Sequence, residues 1–142
     1  MNRPVPFVII AALALLSGCE PSAPLQCHPV RGKVVRNGKP VVEAMVVFHP
    51  VVERPEVKQK PLAFTDEAGE FAITTFQQGD GAPTGQYRIT VEQRAPKMVG
   101  EEMVREGPNL LPRRFGDPNA SGLTIDVAEG DNVAPPIEIP VR

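Results

Sequence analysis

Seventeen prolines and twelve glycines are spread along this 142-residue chain, and together they limit what it can fold into. Proline removes a backbone donor and clashes with the preceding helical turn. Long helices are therefore excluded, and the chain is expected to be strand and loop. Val30 to Arg36 reads as a first strand, closed by Asn37-Gly38, a pair that adopts positive φ at low cost. Pro40 is expected to prevent immediate return pairing. Ala44 to His49 is apolar at both parities, which suggests a strand covered on both faces. Leu62 to Thr65 and Glu70 to Thr74 flank Asp66-Glu67-Ala68-Gly69, a turn in which Asp66 caps backbone amides and Gly69 supplies left-handed geometry.

Gly85 to Glu92 alternates, with Tyr87, Ile89 and Val91 facing one way and Gln86, Arg88, Thr90 and Glu92 the other, the pattern of one buried and one wet face. Leu123, Ile125 and Val127 repeat it, as do Ile137, Ile139 and Val141, with Pro140 acceptable at an edge or strand end. Seven short strands with turns between them favour an all-β fold, a seven-stranded antiparallel β-sandwich spanning residues 30–142. The stretch from Gln93 to Ser121 is a long crossover before the last two strands. It is either a functional loop or holds a short helix at Val99 to Arg105, ended by Pro108. Leu110, Leu111 and Phe115 are candidates to pin it to the sandwich.

The first residues have the parts of an export signal. Arg3 supplies positive charge, Val5 to Leu16 is an apolar run too short to span a bilayer, and Ser17-Gly18 are small. Leu16-Ser17-Gly18-Cys19 resembles the lipobox of bacterial lipoproteins. That resemblance implies cleavage after residue 18, diacylation of Cys19, and residues 19–29 as a tether carrying Pro21 and Pro24. Two acyl chains give lasting membrane attachment at roughly 0.8 kcal/mol per buried methylene. Glu20 after the cysteine favours the outer membrane or periplasmic face of the cell envelope. The 124 residues left after removal of residues 1–18 carry 14 basic and 17 acidic groups, so no basic field invites nucleic acid.

Further marks are Val30-x-Gly32-x-Val34, Asn37-Gly38-x-Pro40-Val41 with Ala44-x-Val46-x-Phe48, Thr65-Asp66-x-x-Gly69-x-Phe71, and Gly85-x-Tyr87-x-Ile89-x-Val91. In this order they resemble the carboxypeptidase regulatory-like domains, whose fold is the transthyretin-like (prealbumin-like) sandwich. Leu111-Pro112, Phe115-x-Asp117-Pro118 and Ser121-x-Leu123 resemble the ending of a bacterial lipoprotein subgroup within them. The resemblance implies an accessory, non-catalytic module. In it the apolar alternation serves the core, and Tyr87 buries its ring with its hydroxyl near a backbone partner.

Residues for catalysis are few. The transthyretin-like fold includes a hydrolase of 5-hydroxyisourate ending in Tyr-Arg-Gly-Ser, whereas this chain ends Ile139-Pro140-Val141-Arg142. Ser17 and Ser22 lie in the signal and tether, and Ser121 has no evident histidine partner. Cys27 beside His28 makes two adjacent ligands, which cannot close a tetrahedral metal site. With Cys19 assigned to lipid, Cys27 is a domain-edge residue or pairs between molecules. Asp66, Glu67 and Glu70, or Asp126, Glu129 and Asp131, lack EF-hand spacing and suit turns. No cofactor or metal is expected.

The reading is an interaction or structural module anchored to the membrane by lipid, with an envelope protein or polysaccharide as partner. The alternative is a carbohydrate-binding surface lipoprotein, disfavoured by the absence of Trp and by a single, core-facing Tyr. Arg94, Lys97, Arg105, Arg113 and Arg114 on the crossover form a candidate anionic-ligand or lipid-headgroup patch. Glu101, Glu102, Glu106 and Asp117 interleave with them, so a mixed solvated surface is the simpler expectation.

Overall fold

The computed structural model describes residues 25–140. Leu16, Ser17, Gly18 and Cys19, where the sequence leads one to expect lipidation, lie outside them with the final Val141 and Arg142. The chain is an all-β sandwich built from the seven expected strands: β1 Val30–Arg36, β2 Met45–Pro50, β3 Leu62–Phe64, β4 Glu70–Ala72, β5 Gly85–Glu92, β6 Leu123–Val127 and β7 Ile137–Ile139. One sheet has the antiparallel order β6-β5-β2-β3. The other is centred on β1, with β4 antiparallel on it and β7 parallel to it. The short Asn132–Val133 segment is also parallel to β1. Wholly antiparallel pairing therefore stops at β1, because the chain crosses from β6 back to the start of β1 before running alongside it.

Two faces of apolar side chains meet between the sheets. Val30, Val34 and Ile139 from one sheet face Val46, Phe48, Ile89 and Val91 from the other, all at most 2% exposed. The alternation of β5 appears as expected, with Tyr87, Ile89 and Val91 buried and Gln86 and Arg88 exposed. Thr90, however, is also buried and bonds His49. Tyr87 packs its ring on Phe48, centroids 5.6 Å apart, and its hydroxyl donates to the Pro83 carbonyl at 2.7 Å. Gly32 leaves room for Phe71, since a Cβ there would sit 2.3 Å from the Phe71 ring. The β2 strand is covered fully on one face only, because Met45, Val47 and His49 are half-buried.

Local chemistry decided the turns. Asn37 and Gly38 both take positive φ, 52° and 71°. Asp66 Oδ1 accepts from the Ala68 and Glu70 amides, and Gly69 sits at φ 75°. Three further expectations need correction. Pro40 does not prevent return pairing: Lys39–Pro40 lies antiparallel against Arg36 and Val35, and Val41 N–H then donates to Val34 O where Pro40 has no hydrogen to give. The Val99 to Arg105 segment is not helical. Lys97–Val99 and Glu102–Val104 pair as a hairpin around Gly100, whose φ is 63°, and β-branched valines suit that geometry. Finally, the tether does not extend to Pro29. Cys27–His28 pairs with Ala82–Pro83, and the buried His28 accepts at Nδ1 from the Gly130 amide.

These pairings give the sandwich two poles. The chain enters at Cys27–His28, beside the start of β5 and the turn that Asn132 closes by bonding Ala128 and Gly130. The crossover leaves from the far end of β5, and the eight residues between span about 25 Å. That far pole also holds the Asn37-Gly38 turn, Glu43, and the end of β7.

Candidate binding surfaces

The Asp66 to Gly69 turn connects strands that part into different sheets. Leu62 and Thr74 exchange backbone bonds of 3.0 and 2.9 Å, and Asp66 N–H donates to Glu70 O at 2.9 Å. Between them the register sets Phe64 opposite Ala72, yet no ladder joins β3 to β4. Phe64 is held by Met45 in one sheet and Ala72 by Arg31 in the other. The hairpin is thereby opened at its middle into a groove of about 1010 Å³, lined by Phe64, Leu62, Arg31, Lys33, Glu70 and Gln78. The Phe64 side of this groove is accessible, with the residue 63% exposed. Two cations, two carboxylates (Glu70 and Asp66) and an amide around an aromatic ring can hold a ligand that is apolar on one face and hydroxylated on its rim.

The second surface is the crossover at the far pole. Leu111 and Phe115 enter the core as expected, whereas Leu110 stays exposed. A 3-10 turn, Arg113–Gly116, carries Phe115 inward, with the Arg114 guanidinium 4.7 Å from its ring centroid. Asn109 holds the segment to the end of β5, its Oδ1 accepting from the Gln93 and Leu111 amides at 3.0 and 3.1 Å. Of the five crossover cations, Arg94 pairs with Glu92 at 2.9 Å and Arg105 with Glu43. Arg113 and Arg114 have no carboxylate within ion-pair distance among the described residues.

Other candidates are occupied by structural work. His49 Nε2 lies 2.9 Å from Thr90 Oγ1 and Nδ1 lies 3.1 Å from Lys60 Nζ. Since the ammonium can only donate, Nδ1 accepts and Nε2 carries the hydrogen. Burial first, and the Lys60 charge second, push the imidazole below its ordinary value. Cys27 is raised by burial and then by the Asp80 charge, which outweigh its bond to Thr75 and keep it a thiol. Asp80, which sequence reasoning passed over, accepts from the Thr75, Phe76 and Gln77 amides and organises the 75–80 turn. Burial opposes its charge, but those amides prevail and hold it below the ordinary carboxylate range. Asp126, Glu129 and Asp131 are exposed, and no metal-ligating cluster of three or more gathers among the described residues.

The absence of Trp and the single core-facing Tyr leave Phe64 as the exposed ring of this surface, which residue counts alone do not single out. The readable signal was Leu62 and Phe64 with Ala63 between them, a strand whose larger apolar residues fall on one parity and its smallest on the other. Ala63 is the buried one.

No family model matches this chain, and no curated protein does. Among solved structures, a candidate carbohydrate-binding protein from Pseudomonas aeruginosa aligns at 12% identity and TM-score 0.40, covering 82% of this chain and 90% of that one. A 9R-lipoxygenase from Cyanothece aligns at 15% identity and TM-score 0.46, over 83% of this chain and 17% of the other. A DUF3823 family protein from Parabacteroides merdae aligns at 11% identity and TM-score 0.37, over 80% and 45%. Likenesses this distant carry no argument about what the chain binds.

Proposed function

We propose that this chain is a non-catalytic interaction module of the cell envelope, lipid-anchored through Cys19, that presents the pole carrying its crossover to a partner. The observation that carries this reading is the opposition of the poles. The chain enters the fold at Cys27–His28, while Arg113, Arg114 and the 97–104 hairpin stand at the far end of β5. An anchor at Cys19 would join the fold at the first pole and leave the second free of the attachment point. The crossover pole is then open to a partner in the envelope. Fatty-acid labelling and fractionation test the anchor, with wild type labelled and in the membrane fraction and Cys19→Ala unlabelled and released. Persistent labelling of the variant overturns it. Proximity cross-linking from intact cells tests the module: a recurrent envelope partner lost on deleting residues 97–104 is expected, and one indifferent to that deletion rejects the far pole.

A carbohydrate-binding role is the second reading, supported by the Phe64 groove. Ring stacking with polar groups at the rim is a chemistry suited to sugars. Retention of the wild type on insoluble neutral polysaccharide, lost with Phe64→Ala, is the expected result; equal retention of the two rejects the groove.

A further inference from the structure

Two depressions on the far pole share Leu111, Arg113 and Arg114. One, of about 320 Å³, adds Arg36; the other, of about 750 Å³, adds Glu92, Asn109 and Asp117. We propose that this continuous notch binds an acidic saccharide, the carboxylate of a uronate residue lying against the arginines and its ring hydroxyls reaching Glu92, Asn109 and Asp117. The surface is separate from the Phe64 groove, and neither requires the other.

Two of the three arginines are held before any ligand arrives. Arg36 Nη1 donates to the Leu110 carbonyl at 3.3 Å, and Arg114 stacks on the buried Phe115. None of Arg36, Arg113 and Arg114 has a carboxylate within ion-pair distance among the described residues. A guanidinium fork matches a planar carboxylate through two parallel N–H donors. The rest of the wall selects among anions. Asn109 spends its oxygen on two backbone amides and keeps its NH₂ for a ligand. Glu92 gives Oε2 to Arg94, and Asp117 gives Oδ1 to the Asn119 amide, so each keeps a second oxygen able to accept. A phosphate offers these two carboxylates at most one hydroxyl, and an acidic peptide offers backbone amides only at the spacing of its chain while adding charge at every side chain. A uronate brings one carboxylate for the arginines and several hydroxyl donors on the same ring for the acids, so it meets both halves with the least added charge.

The test is isothermal titration of the full-length protein in detergent with oligogalacturonate, its methyl ester, and poly-glutamate, all at one salt concentration. The ester keeps the hydroxyls and loses the charge, while poly-glutamate keeps the charge and lacks the hydroxyls. Binding of oligogalacturonate, weakened at least tenfold by esterification and by Arg113→Gln/Arg114→Gln, is expected. Asp117→Asn should weaken it several-fold, and Lys58→Gln, an exposed cation elsewhere, should leave it unchanged. The paired Arg113→Lys/Arg114→Lys variant keeps the charge without the fork and should also bind weakly while melting at the wild-type temperature, which separates a lost fork from a lost fold. Absence of oligogalacturonate binding overturns the proposal. So does equal binding of poly-glutamate or of the ester, or equal loss with Lys58→Gln. Phe64→Ala, run in parallel, should leave oligogalacturonate binding intact whatever it does to neutral polymers.

Discussion

Gly81 lies directly beneath the His28 backbone: a Cβ on Gly81 would stand 1.7 Å from the His28 carbonyl oxygen and 2.3 Å from its carbon. Its φ of 89° is also one that side chains avoid. This contact closes the pole at which the chain enters the sandwich.

Gly81→Ala should therefore lower stability by about 3 kcal/mol, combining left-handed strain of roughly 1–2 kcal/mol with backbone displacement of similar size. For a domain of this size, that is a fall in Tm of about 10 °C. Gly79→Ala is the control. Its φ is also positive, 72°, but nothing lies within 4 Å of the added carbon, so the left-handed strain alone should cost roughly 1–2 kcal/mol. Thermal melts of both variants, with amide exchange at His28, separate them. Equal melting temperatures would show that the clash is absorbed without cost.

Tyr87 serves the core and the same pole at once. Its ring is 4% exposed against Phe48, and its hydroxyl satisfies the Pro83 carbonyl beside the Cys27 pairing. Tyr87→Phe keeps the ring and orphans that carbonyl, so a loss of about 1–2 kcal/mol is expected. Tyr87→Ala also opens a cavity and should cost about 3–5 kcal/mol. Urea melts distinguish the two, and a Phe variant as stable as wild type would mean that water replaces the hydroxyl.

Features encoded within a few neighbouring residues were legible in the sequence. Asn37-Gly38 and Asp66 to Gly69 carry their turn chemistry in themselves, and the strand alternation at Tyr87, Ile89 and Val91 needs no distant partner to be read. What could not be read depends on who pairs with whom. Glu70 to Thr74 looks like the return arm of a hairpin, but Gly32 offers Phe71 a site in the opposite sheet, and that packing draws β4 from β3 and opens the groove beside Phe64. His28 looked like part of a tether because its partners, Ala82 and Gly130, are 54 and 102 residues away. Cross-strand context overrides local preference in this way throughout β structure. The crossover arginines were visible as a cluster. Which of them were already paired required Glu43 and Glu92 to be placed beside them.

Acid should weaken this fold in two stages, both with the same sign. His49 is depressed from its ordinary 6.5 by burial and by Lys60, so the folded state favours the neutral ring. Its contribution is present above pH 6.5 and is lost as pH falls through the lower folded value, because the unfolded chain binds the proton first. Asp80 is depressed from 3.8. Its contribution is present above 3.8 and fades as pH falls through its folded value, when protonation weakens the acceptor for Thr75, Phe76 and Gln77. Both groups are half-buried and partly screened by solvent, so each stage should be modest. Melting temperature measured from about pH 8 down to about pH 3 should decline first below 6.5 and again below 3.8. His49→Gln should flatten the upper stage alone. Asp80→Asn should flatten the lower stage and reduce the melting temperature at neutral pH, since an amide cannot match a carboxylate that receives three backbone donors. A wild-type profile level between about pH 7 and pH 5 would mean that His49 titrates alike in the folded and unfolded chains.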